Sequence, residues 1–213
     1  MNFIMVEDHN LVLNGVSKLI EEKSTFNCIG TFSSPTQTKA FLADYCKMDY
    51  EPLICIIDIN LKDSDEEGIL QEDGLSLIRF IKEKYTNIYC LCYSMYKGAG
   101  IVEQAVKAGA DGYISKKAGL EVILQAMEKV AAGRFFLEES LTSEYVVYSN
   151  LFDCLTNREK EVIELFFQKK DEEEIAQMMG IKLHAVDNYM TRIISKLGVV
   201  SKKELLQKFG DII

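Results

Sequence analysis

Five side chains in the first half of this chain could do chemistry together if the fold gathered them. They are the carboxylates of Glu7, Asp8 and Asp58, the hydroxyl of Ser94 and the ammonium of Lys116. Crowded carboxylates repel one another unless a divalent cation sits among them. An all-oxygen set with an incomplete shell suits Mg2+, which keeps waters and accepts a phosphate oxygen. A carboxylate in such a setting can act as phosphoryl acceptor, forming an aspartyl phosphate. A hydroxyl and an ammonium would then meet the new dianion through charge-assisted contacts. The bland alternative is solvated acids and a surface lysine, and five such residues at four strand ends weigh against it. A phosphate-cradling glycine loop does not compete, because Lys97-Gly-Ala-Gly100 lacks the rest of the fingerprint and follows the wrong strand.

The elements that must position these groups are legible as an alternation. Apolar or β-branched runs predict strands at Phe3–Val6, Cys28–Phe32, Leu53–Asp58, Ile88–Ser94 and Gly112–Ser115. Segments of helical period separate them at Leu11–Glu22, Thr36–Tyr45, Leu75–Lys84 and Gly100–Ala108, with Leu120–Ala132 after the last. Strict β–α order implies a five-stranded, doubly wound parallel sheet of flavodoxin-like α/β type, with helices on both faces. Ligands in such sheets gather outside the carboxyl ends of the strands. Glu7-Asp8, Asp58, Ser94 and Lys116 end the first, third, fourth and fifth strands, so they converge on one rim.

The alternation stops after Gly133, which sets expected boundaries of 1–132 for the α/β domain, 133–152 for a linker and 153–213 for a small all-α domain. Thr156-Asn-Arg-Glu159 and Asp171-Glu-Glu-Glu174 read as capping boxes, Gly180 as a helix stop, and Ser201-Lys-Lys-Glu204 as a last cap. Four short helices with a tight turn at Met179-Gly180-Ile181 have helix-turn-helix spacing.

The chain has 213 residues, 48% hydrophobic and 27% charged, with a formal charge of −9, so no general attraction to nucleic acid or anionic lipid is built in. No apolar stretch approaches the roughly 18 residues of a membrane span, and no signal peptide is evident, so a cytoplasmic protein is expected. Six cysteines without a C-x-x-C and only two histidines, His9 and His184, assemble no zinc set. Cys28, Cys55, Cys90 and Cys92 lie in strand-like runs and read as small buried hydrophobes.

Three stretches carry a family resemblance in the first domain: Met5-Val-Glu-Asp-His-Asn-Leu-Val-Leu-Asn-Gly15, Ile57-Asp-Ile-Asn60 and Ala108-Gly-Ala-Asp-Gly-Tyr-Ile-Ser-Lys116. Three more lie in the second: Leu155-Thr-Asn-Arg-Glu-Lys-Glu-Val162, Glu174-Ile-Ala176 and Lys196-Leu-Gly-Val199. The chain resembles the NarL/FixJ (LuxR-type) family of two-component response regulators, a receiver domain joined to a DNA-binding helix-turn-helix. The resemblance implies Asp58 as phosphoacceptor. It implies Glu7, Asp8, Asp58 and the backbone carbonyl of Asn60 as Mg2+ ligands, and Ser94 and Lys116 as phosphoryl-binding groups. Tyr113 would be the switch aromatic that swings inward when Ser94 engages phosphate; read from composition alone it is equally a buried strand residue. A sensor histidine kinase as donor, double-stranded DNA as target and a homodimer on activation follow from the same resemblance, with Leu205, Leu206 and Phe209 as dimer contacts or core. Departures are a long acidic loop after Asp58 (Asp63, Asp65, Glu66, Glu67, Glu72), Lys62 where a proline is common, and Met95 where a small residue is usual. These bear on the rate and use of phosphorylation.

On the resemblance, the recognition helix is about His184–Lys196. Asp187, Asn188, Thr191 and Arg192 stand on or beside its groove face, and Lys182 and Lys196 contact phosphate, with Lys169 and Lys170 as weaker candidates. Electrostatics oppose this reading. Residues 151–213 hold ten basic and eleven acidic side chains, where phosphate neutralisation calls for a basic face. Asp187 stands where the family often has lysine, and Asp171-Glu-Glu-Glu174 opens the helix that approaches the backbone. The alternatives are therefore a protein-binding module, a phosphate-independent regulator, or a phosphoaspartyl hydrolase; the last lacks an additional general acid or base near the rim, and no enzyme activity is expected.

Overall fold

The computed structural model describes residues 1–47, 51–61, 63–64 and 71–209. They form two compact units, one from Met1–Lys97 and Ile101–Ser140, the other from Gly98–Gly100 and from Leu141 onward. Among the described residues no helix is long and apolar enough to cross a membrane.

The first unit runs β1 (Asn2–Val6), α1 (Asn10–Lys23), β2 (Asn27–Phe32), α2 (Pro35–Tyr45) and β3 (Leu53–Ile57). A two-strand hairpin follows, β4 (Asp63–Ser64) with β5 (Gln71–Glu72), and then α3 (Gly74–Lys84), β6 (Ile88–Ser94), α4 (Ala99–Lys107), β7 (Gly112–Ser115), α5 (Leu120–Ala131) and β8 (Phe136–Leu137). The main sheet is parallel, in the order β2-β1-β3-β6-β7-β8. It has six strands where five are expected. The sixth, β8, comes from the stretch read as linker, 133–152, which also holds the helix α6 (Glu139–Asp153). A two-residue strand shows no period in sequence. Burial of Phe136 and pairing of Gly112 with Phe136 and of Tyr113 with Leu137 add it to the sheet edge.

The strand character follows from burial. All five residues of β3 are buried because helices cover both faces of this inner strand, whereas the edge strand β2 is only partly covered. Chain order reverses between β1 and β3, which puts the switch point between the two strands that end in Glu7-Asp8 and Asp58. Cys55, Cys90 and Cys92 are fully buried, and burial pushes their thiols up, consistent with inert core residues. Of the acidic loop, Lys62, Asp65, Glu66 and Glu67 lie outside the described residues; Glu72 pairs with Lys39 of α2 at 2.5 Å.

The second unit carries α7 (Asn157–Phe167), α8 (Glu172–Met179), α9 (Leu183–Lys196) and α10 (Lys202–Phe209). Both expected capping boxes form: Thr156 with Glu159, and Asp171 with Glu174. Gly180 ends α8 at φ 64°, a left-handed conformation that favours glycine, and sets the sharp turn into α9. Val162, Ile163, Ile175, Val186, Met190 and Ile193 interdigitate as the core. Leu205 and Phe209 are buried in this core, leaving Leu206 the exposed member of the three residues considered as dimer contacts.

Candidate functional site

Glu7 and Asp58 each sit one residue past a hydrogen-bonded strand end. Glu7 N donates to the Phe32 carbonyl at 2.9 Å and Asp58 N to the Val6 carbonyl at 3.0 Å, so the ladder itself aims both side chains at the rim. Lys116 arrives from β7, its backbone N donating to the Ser94 carbonyl at 2.8 Å. Its Nζ lies 2.8 Å from Asp58 Oδ2 and 2.5 Å from Glu7 Oε2, bridging two buried carboxylates. Burial alone would lower the Lys116 pKa. The bonds to Asp58 and Glu7 outweigh it and hold the ammonium above its ordinary value.

Two oxygens of the acid set are held by ion pairs alone. Glu7 Oε2 and Asp8 Oδ1 are buried without a hydrogen bond of good geometry and meet their neighbours only as ion pairs, Lys116 on the first and His9 on the second. Buried oxygens with spare lone pairs are costly alone and fit a hard divalent cation. A cavity of about 560 Å³ adjoins them, lined among others by Asp8, His9, Asn60 and Asp73. Asn60 N donates to Asp58 Oδ1 at 3.1 Å, fixing the turn after the strand.

His9 is a residue that motif reading did not place in the site. Its Nδ1 lies 2.9 Å from Glu7 Oε1 and 2.7 Å from Asp8 Oδ1. The Glu7 hydrogen bond, followed by the Asp8 charge, raises its pKa. Its only sequence signal was adjacency to the acid pair. Gly74, also missed, opens α3 against the Asp58 backbone.

Ser94 and Tyr113 are fully buried beside this cluster. Ser94 Oγ accepts from Tyr96 N at 3.2 Å, and the Tyr113 hydroxyl donates to the Tyr96 carbonyl at 2.9 Å. Tyr113 therefore points inward, and burial raises its phenol pKa. Met95, between these residues, is more than half exposed at 53%. Glu138, just past β8, accepts from Ser115 N at 2.7 Å and donates its own N to the Tyr113 carbonyl at 3.1 Å, tying the end of β8 to the strand that carries Tyr113 and Lys116.

In the second unit, Lys182, Asp187, Asn188, Thr191 and Arg192 are all exposed, at or along one outward side of α9, opposite buried Val186, Met190 and Ile193. Thr191 Oγ1 donates to the Asp187 carbonyl at 2.9 Å, and the Arg192 guanidinium lies 5.9 Å from the Tyr189 ring. Lys196 stands apart from this set. Its Nζ is 2.7 Å from the carboxylate of buried Glu159, which completes the α7 capping box. Lys170 pairs with Glu174 at 3.2 Å, and Lys169 takes φ 61° at the end of α7.

Residues 3–128 match the response regulator receiver domain, and residues 153–209 match the bacterial regulatory proteins of the luxR family. The transcriptional activator protein ExaE of Pseudomonas putida is 28% identical, over 97% of this chain and 94% of that protein. The oxygen regulatory protein NreC of Staphylococcus aureus is 26% identical, over 97% and 95%. Among solved structures, RcsB from Salmonella enterica serovar Typhimurium, bound to a promoter in the presence of the phosphomimetic BeF3-, is 25% identical. It superposes with a TM-score of 0.66 over 100% of this chain and 99% of that one. With a receiver domain over residues 3–128 and a luxR-type domain over residues 153–209, the chain belongs to the NarL/FixJ (LuxR-type) family of response regulators.

Proposed function

We propose that the first unit is an Mg2+-dependent phospho-receiver with Asp58 as the acceptor, and that its state controls transcription through DNA binding by the second unit. The observation that carries the proposal is the Lys116 bridge between Asp58 and Glu7, with a buried oxygen of Asp8 beside it. Mg2+, held by Glu7, Asp8, Asp58 and the Asn60 carbonyl, would neutralise the crowded charge as a phosphate approaches. An Asp58 carboxylate oxygen attacks phosphorus, the bond from phosphorus to the donor breaks, and the donor leaves with its electron pair. Lys116 keeps its charge through the step and follows the new dianion, while the Ser94 hydroxyl donates to a phosphoryl oxygen.

Ser94 and Tyr113 share the Tyr96 backbone as a partner, so recruitment of Ser94 by phosphate acts on the contact that holds Tyr113 inward. The phosphoryl group thereby biases a two-state element at the β6 and β7 ends. A sensor histidine kinase is the proposed donor, homodimerisation the proposed consequence, and the cytoplasm the proposed compartment. In the second unit, the outward side of α9 enters the major groove, where Asn188 suits adenine and Arg192 guanine. RcsB, whose structure is a promoter complex, supports this reading.

Intact-mass spectrometry after incubation with Mg2+ and acetyl phosphate tests the receiver. One phosphoryl adduct is expected, absent from Asp58→Ala; an unmodified wild-type mass would turn the reading toward a phosphate-independent regulator. The acidic first turn of α8 and exposed Asp187 favour a second reading of the output unit as a protein-binding module. Titration of random duplex against salt separates the two, because such a module shows almost no salt-dependent binding.

A further inference from the structure

The first turn of α8 carries Glu172, Glu173 and Glu174, and Asp187 adds a fourth acid on the outward side of α9. Facing a polyanion, these would repel. Two of the three glutamates are already taken by lysines of this unit. Lys170 pairs with Glu174 along the chain, whereas Lys202, from the start of α10, pairs with Glu172 across the fold and lies 3.9 Å from Asp187. Lys202 thus joins the starts of α8 and α10 to the groove-facing helix through one ammonium.

We infer that Lys202 is a built-in counter-ion that neutralises Glu172 and screens Asp187, so that an acidic helix-turn-helix presents a charge-compensated face to the DNA backbone. The inference rests on the DNA-binding reading above. Its physical content is a cancellation. Glu172 is about one-third exposed and Lys202 about two-fifths exposed, so both charges sit at the surface, where a neighbouring phosphate would sense their sum. Asp187 keeps 55% of its side chain exposed and remains able to accept a hydrogen bond from a cytosine amino group. Lys202 therefore sets affinity without itself being a base-reading residue.

Fluorescence anisotropy of labelled duplex with the full chain tests this in four arms: wild type, Lys202→Met, Glu172→Gln and the double variant. Lys202→Met should weaken binding about tenfold at low salt by exposing an unpaired acid to phosphate. Glu172→Gln should tighten it by at least about threefold by freeing the ammonium. The double variant should return to within about twofold of wild type, because a neutral pair replaces a compensated one. If Glu172→Gln changes nothing and the double variant stays as weak as Lys202→Met, Lys202 is an ordinary phosphate contact and the inference fails. If wild type binds no duplex at any salt, the DNA reading itself fails and the inference falls with it. Thermal melting of each variant guards against misfolding; exposed ion pairs carry little stability, so the four curves should nearly coincide.

Discussion

Gly74 packs directly against the backbone of Asp58. A Cβ on Gly74 would run into the Asp58 carbonyl oxygen and lie 2.7 Å from Ile59 Cα, while Gly74 N donates to the Ile59 carbonyl at 3.0 Å. The first residue of α3 therefore clamps the turn that carries the candidate phosphoacceptor, and only a residue without a side chain fits. Gly74→Ala should cost about 2 kcal/mol as the turn is forced outward. It should also slow formation of the phosphoryl adduct. Urea unfolding together with intact-mass time courses checks both effects; a variant with wild-type adduct kinetics would show that the Asp58 turn does not depend on this contact.

Lys116 is the shared cation of two buried carboxylates, so its removal leaves charge uncompensated. Lys116→Met should lose about 3 kcal/mol at neutral pH. Because Asp58 and Glu7 raise the Lys116 pKa above its ordinary 10.5, its stabilisation is fully present below that value and is lost as pH rises through the raised one. Wild-type and variant stabilities measured by denaturant unfolding should thus converge only in strong alkali.

Tyr113→Phe removes the hydroxyl that bonds the Tyr96 carbonyl while keeping the ring buried. The expected loss is about 1 kcal/mol, with the phosphoryl adduct retained. Tyr113→Ala should cost about 3–5 kcal/mol through the cavity it leaves. Equal losses in the two variants would mean that the hydroxyl, not the packing of the ring, anchors this strand.

Glu159 links the α7 cap to Lys196. Burial alone would raise its carboxyl pKa, but the Lys196 and Thr156 bonds outweigh burial and hold it below 4.5. Its stabilisation is therefore present above that ordinary value and is lost as pH falls through the depressed one. Glu159→Gln should flatten the acid side of the stability curve of the helical unit, with the gap from wild type largest near neutrality. Hydrogen exchange of α7 and α9 amides across the acid range reads this.

Lys182 and Lys196 should separate cleanly in a DNA titration. Lys182 is exposed at the start of α9, so Lys182→Met should reduce the slope of log affinity against log salt by about one. Lys196 is held by Glu159, so Lys196→Met should leave that slope unchanged and lower the melting temperature instead. A slope change in both would return Lys196 to the set of phosphate contacts.

Local pattern and tertiary packing divided the information in this chain. Strand ends at Val6, Ser94 and Ser115, the third strand to within one residue of its end at Ile57, the capping boxes at Thr156 and Asp171 and the stop at Gly180 were legible, because each depends on neighbours within a few residues. Period-2 and period-3.6 burial are local quantities, and β–α alternation then restricts the sheet to parallel crossovers. Strand β8 was not legible, since two residues have no period and Phe136 earns its place only from Gly112 and the core beneath.

The sequence brought Lys116 to the same rim as Glu7 and Asp58, but the direct ion pairs were out of reach. Lys116 meets Asp58 from 58 residues away because β6 and β7 follow β3 in the sheet. Lys196 turns to Glu159 and Lys202 to Glu172 because helices far apart in sequence cross there. By itself the sequence determined which groups stand at strand ends and helix starts. Only the tertiary structure decided which charge faces which, because a side chain's partner is set by strand order and helix packing, and the energy of a pair falls steeply with distances that no local pattern encodes.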